Sequence, residues 1–187
     1  MKIAEVTNAL KLYGWATSKD EVGDRLALCD LSDRTVNVIY GLRKLPNEQL
    51  LWVMRSTSTE AFTRACAEID PGHGNSAPLV RPWNDPDVRA PEIFEEHVRQ
   101  ASDEAIAWAK EQDLNKALQE HAALATTAPG ARPVWHLAAL AVLGDVARLK
   151  SYQASFEAGN QLGFVNYITK DYIDRAVALA EEYVARS

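Results

Sequence analysis

The stretch from Thr35 to Arg55 limits the fold more than any other part of the chain. In TVNVIYGL, Val36, Val38, Tyr40 and Leu42 fall at every second position and Asn37 lies on the opposite side, the period of a pleated strand with one buried face. QLLWVMR (49–55) is apolar on both faces, as suits a strand inside a sheet. Only Lys44-Leu45-Pro46-Asn47-Glu48 connects the two, and proline with asparagine gives it turn character. A link this short rules out parallel neighbours, which need a crossover of roughly a dozen residues or more. Leu26-Ala27-Leu28-Cys29, joined through Leu31–Arg34, supplies a third strand. An antiparallel meander follows.

Helical spacing surrounds these strands. Ile3, Val6, Leu10 and Tyr13 step by three and four, and Gly14 follows as a stop. After the meander, Thr57 with Glu60 reads as a capping box for a helix carrying Phe62, Ala65, Cys66 and Ile69 on one stripe. Leu79–Trp83 reads as a fourth strand, confined to an edge by Pro82. Pro91 and the acidic Glu92, Glu95 and Glu96 suit the first turn of a long helix, with Phe94, Val98, Ala101, Ala105 and Trp108 as its buried stripe to about residue 112.

Beyond that point only helices are expected. They cover 114–125, then 134–158 with a break or kink at Gly144-Asp145, then a last helix capped by Thr169. The predicted class is α+β: an N-terminal antiparallel meander of three to four strands packed by helices (α-β-β-β-α-β-α), followed by an all-helical C-terminal portion. The domain reading is 1–112 for the α+β part and 113–187 for the helical extension, packed on the first or separate from it.

The features MKIAEVTNALKLYG, LALCDLSDRTVNVIYGLRKLPNEQLLWVMR, TEAFTRACAEI and IFEEHVRQASDEAIAWA after LVRPW resemble, in their order, the α+β layout of type III secretion chaperones and the related YbjN-like bacterial proteins. The resemblance covers residues 1–112. It implies a small, acidic, usually dimeric and non-enzymatic protein that holds an extended stretch of a partner on apolar patches. The chain departs from that layout by having one expected strand between residues 70 and 90, where the family has two, and by its helical tail.

Composition narrows the function classes. With 47% hydrophobic and 25% charged residues the chain is of ordinary globular type. The net charge of −6 is concentrated in residues 76–125, which hold five basic and ten acidic side chains. Clustered Lys and Arg are missing, so nucleic acid is not the expected partner. No window approaches the ~20 continuous apolar residues of a membrane span, and the first residues do not read as a signal peptide, so a cytoplasmic location is expected. Cys29 and Cys66 are expected to be reduced core thiols.

Catalytic motifs are sparse. The four histidines (His73, His97, His121 and His136) form no HExxH, and there is no CxxC, GxSxG or phosphate loop. His97 beside Glu95-Glu96 is the nearest approach to a metal ligand, and no metal or cofactor is expected. DPGHGNSAP (70–78) followed by WNDPDV raises one alternative, a small-ligand-binding or hydrolytic site with His73 as general base and Asp85 or Asp87 orienting it. The favoured expectation is a non-enzymatic binding protein of chaperone, adaptor or immunity type, with another protein as its partner. A homodimer using the uncovered sheet face is the third class. Trp83 and Phe164 are the partner-binding candidates: Trp83 either covers the core or anchors a partner, and Phe164 either closes over a groove or plugs the helices.

Overall fold

The computed structural model describes residues 1–20, 22–72, 77–85 and 87–186. Cα packing divides the chain into two compact units, Met1–Ser58 with Val80–Gln112, and Thr59–Leu79 with Asp113–Ser187. The helix after the meander, inside the 1–112 stretch, groups with the C-terminal helices.

The first unit is an antiparallel sheet in the order β1 (Ala16–Lys19), β2 (Arg25–Asp30), β3 (Thr35–Lys44), β4 (Gln49–Ser58) and β5 (Val88–Ala90). Each strand pairs with its neighbour in sequence, as the short links require. Its helices are α1 (Ile3–Leu12) and α3 (Glu95–Glu111), while α2 (Glu60–Ile69) belongs to the second unit. Both pack together and cover one face of the sheet, where Ala27, Val36, Val38, Tyr40 and Leu51 meet Val6, Leu10, Trp15, Val98 and Ala105. Two polar contacts seal this core. The Trp15 indole donates to Ser102 Oγ at 2.8 Å, and the Tyr40 hydroxyl lies 2.9 Å from Thr7 Oγ1. Arg34, in the β2–β3 turn, donates to the carbonyls of Ala109 and Gln112. It thereby places a cation on the C-terminal carbonyls of α3, worth about 0.3–1 kcal/mol.

Four details differ from the sequence expectation. β1 was not foreseen, because ATSK lacks an apolar alternation. The fourth expected strand, Leu79–Trp83, contributes only an isolated bridge between Val80 and Thr57, since Pro78 and Pro82 on either side have no N–H for a ladder; β5 pairs instead with β4. Helix α3 starts at Glu95, so Pro91 lies outside its first turn, and Phe94 is exposed while Ser102 and Ala109 are buried. Thr57 remains in β4, donating its hydroxyl to the Thr35 carbonyl.

In the second unit, α2 (Glu60–Ile69), α4 (Leu114–Ala122), α6 (Val146–Glu157) and α7 (Lys170–Arg186) surround α5 (Arg132–Val142). Thr59 caps α2, accepting from the Phe62 N–H. Asp113 caps α4 and Asp145 caps α6 in the same way. Pro133, Val134 and residues 136–141 of α5 are all buried, so this helix is apolar on every side and sits at the centre. Its alanines at 138, 139 and 141 let neighbours approach closely. Gly144, at φ 69°, ends α5, and Asp145 starts α6, the break expected at that dipeptide.

Candidate interaction surface

Because side chains alternate along a strand, the sheet has a second face. The core of the first unit takes Cys29, Leu42, Val53, Val88 and Ala90 along with the residues named above. It takes none of Leu26, Leu28, Ile39, Trp52 or Met54. These five point the other way, and the register places them side by side. Leu26 lies opposite Ile39, Ile39 opposite Met54, and Trp52 opposite Gly41. Leu28 is 40% and Met54 50% exposed, while Leu26, Ile39 and Trp52 are half-buried. A β-carbon at residue 41 would overlap the Trp52 ring, so the glycine lets the indole lie flat on the sheet. The next row along the face is Arg43, Leu50 and Arg89. Arg89 reaches Glu48 at 3.3 Å and Asp87 at 4.0 Å. Arg43 is exposed and has no ion pair among the described residues. The result is an apolar strip ending in two arginines.

The residues singled out from sequence are scattered. Trp83 is fully exposed. Phe164 is buried, its ring against Tyr152, Phe156 and His136 at centroid distances of 5.6, 5.9 and 6.4 Å. It is therefore a plug inside the helical unit and offers no surface to a partner. His73 lies outside the described residues. Asp85 is paired with Arg55: Nε to Oδ1 is 3.0 Å, and the Arg55 backbone N–H donates to Oδ2 at 3.2 Å. Burial raises the Asp85 carboxyl above its ordinary range, and the Arg55 guanidinium opposes that shift. Arg55 in turn stacks on Trp108, 5.1 Å from the ring centroid. Asp85 thus serves a structural ion pair, and Asp87 is exposed beside Arg89. His97 Nδ1 accepts from the Phe94 N–H at the start of α3. Both cysteines are free; burial raises each thiol, with Asp30 adding to the effect at Cys29 and Asp70 at Cys66.

Sequence reasoning passed over His136, which is fully buried. Its Nδ1 lies 3.1 Å from the His121 carbonyl, which only accepts, so Nδ1 carries the proton. Nε2 then accepts from the Tyr152 hydroxyl at 3.2 Å, and that oxygen accepts from Arg148 Nε at 2.8 Å. Burial lowers the His136 pKa and keeps the ring neutral. Apolar neighbours in α5 were the available signal, but the partners come from α4 and α6.

The class defined here is an α+β protein with a half-covered antiparallel sheet and a helical unit built around one central helix. The chain belongs to a family of unknown function, DUF6990, whose pattern matches residues 2–181. No curated protein and no solved structure matches it. Among the described residues, no helix is long and apolar enough to cross a membrane.

Proposed function

We propose that the protein works by binding another protein on the open face of its sheet. The observation that carries this reading is the strip of Leu26, Leu28, Ile39, Trp52 and Met54, which neither α1 nor α3 covers. Contiguous apolar patches on an otherwise polar surface mark interaction sites. The charge at the end of the strip selects the occupant: a partner with an apolar ridge flanked by carboxylates that reach Arg43 and Arg89. Trp83, exposed on all sides, is a second apolar anchor for the same partner. A chaperone-, adaptor- or immunity-like role fits such a surface, and the layout resemblance noted from sequence supports it.

The test is the double variant Leu28→Lys with Met54→Lys. Both side chains are exposed, so the far-UV spectrum and unfolding midpoint remain those of the parent. The parent protein retains a stoichiometric partner bearing an acidic, apolar segment, and the variant loses it. Equal retention by both proteins contradicts the reading. A parent that forms only dimers of itself, dispersed by the variant, puts a second copy on the face and overturns the choice of occupant.

A further inference from the structure

The helical unit has a cleft of about 460 Å³, and no residue of the open sheet face lines it. Its walls come from the end of α2, the chain at Ala77-Pro78, the start of α5 and the chain around the start of α7. Sites for small molecules fall at roughly 300–1,000 Å³ and combine apolar walls with a few polar groups. Here the walls are Pro78, Val134 and the rings of Trp135, Tyr167 and Tyr172. The two tyrosine rings meet edge to face, 6.2 Å apart and inclined at 69°, and the Trp135 ring is set edge-on to His121 at 5.5 Å. A flat ring entering such a corner finds both aromatic faces and aromatic edges to pack on.

The charge in the cleft is already committed. Asp70 is the one charged group among the described lining residues. Its carboxylate is buried, accepts the Tyr172 hydroxyl at 3.0 Å and has a further partner. A cation entering the cleft finds that carboxylate engaged, and an anion finds no Lys, Arg or His among the described lining residues. Either one would give up its hydration without a free opposite charge to replace it. The Cys66 thiol is buried and protonated, and brings no nucleophile.

Neutral hydrogen bonding of both kinds remains. The Trp135 indole N–H, which can only donate, has no hydrogen-bond partner among the described residues. Tyr167 gives its hydroxyl proton to the Gly130 carbonyl at 2.6 Å, as Tyr172 gives its own to Asp70, so each phenol oxygen is left as an acceptor. From this geometry we infer that the cleft binds an uncharged aromatic molecule bearing a hydroxyl group, a phenol or an aryl alcohol. Its ring lies against Pro78, Val134 and the tyrosine corner. Its hydroxyl, donor and acceptor at once, matches the phenol oxygens and the indole N–H.

Isothermal titration of the full chain near neutral pH with three probes of one shape tests this. 2-Naphthol binds at one site per chain, and 2-naphthoate and 2-naphthylmethylammonium bind roughly tenfold more weakly or worse. Ala131 lines the cleft and is exposed, so Ala131→Trp fills the space while leaving the core intact. It weakens 2-naphthol by roughly tenfold or more. Trp135→Phe keeps a ring, removes the N–H and weakens 2-naphthol by a smaller factor, roughly two- to tenfold. Met54→Lys, on the open sheet face, leaves the affinity unchanged. Four results overturn the inference: no heat with 2-naphthol, a charged probe that binds as tightly as 2-naphthol, full 2-naphthol affinity in a folded Ala131→Trp protein, or full affinity in Trp135→Phe.

Discussion

Replacing Gly41 by alanine tests the packing that shapes the open face. Gly41 is buried, and its backbone is not left-handed, so alanine strains no dihedral there. The conflict is with Trp52, whose indole occupies the space of the new methyl group and lies 2.5 Å from it at Nε1. No real β-carbon tolerates that distance, so the ring must swing off the sheet. A half-buried tryptophan displaced this way loses about 100 Å² of apolar contact. At roughly 25 cal/mol per Å² that costs about 2.5 kcal/mol. Alanine recovers about 0.5–1 kcal/mol over glycine in a strand, which leaves a net loss of about 2 kcal/mol. Urea unfolding followed by far-UV circular dichroism measures it. In a Trp52→Ala background the obstruction is gone, and Gly41→Ala becomes neutral or slightly stabilising. The strand gain appears in both backgrounds and cancels, so the pair is coupled by the lost contact alone, about 2.5 kcal/mol in a double-mutant cycle. Equal effects of Gly41→Ala in both backgrounds would refute the reasoning.

Two further predictions concern the helical unit. Phe164→Ala empties a buried site between Tyr152, Phe156 and His136 and costs about 3–5 kcal/mol by urea unfolding; a loss below about 1 kcal/mol contradicts its role as a plug. His136 gives a pH signature. Its folded pKa lies below the ordinary 6.5, so below that pH the unfolded chain takes up a proton that the folded chain refuses. Stability therefore falls as pH drops below about 6.5, by up to ~1.4 kcal/mol per pH unit, until the folded-state pKa is reached. His136→Gln flattens that slope, and a parent protein equally stable at pH 7 and pH 5 contradicts the assignment.

How much of this was legible in the sequence follows from the range of each interaction. The meander, α1, α2 and the helices from 114 onward carry their own periodicity and caps, so a local reading finds them. β1 and β5 carry none. ATSK and VRA become strands only because β2 and β4 offer them a ladder, and an apolar run such as Leu79–Trp83 misleads when prolines at 78 and 82 withhold donors. The N-cap of α2 moved from Thr57 to Thr59 because Thr57 has sheet partners, Val80 and Thr35, more than twenty residues away. The same limit applies to sites. Asp85 looked available beside His73, but Arg55, thirty residues upstream, takes its carboxylate. The open face was half visible: QLLWVMR is apolar on both sides, which reads as a central strand. Only the placement of α1 and α3 on one side shows that Trp52 and Met54 lie on the face turned away from them.

The most direct measurement of the binding claim is photo-crosslinking from position 54. A photoreactive residue replaces Met54 on the open face in one protein, and Val184, 54% exposed in the helical unit, in another. The account predicts that position 54 captures one other polypeptide through an apolar segment flanked by Asp or Glu, that Leu28→Lys abolishes this adduct, and that position 184 does not form it. Position 54 capturing nothing, or the same adducts as position 184, would contradict it.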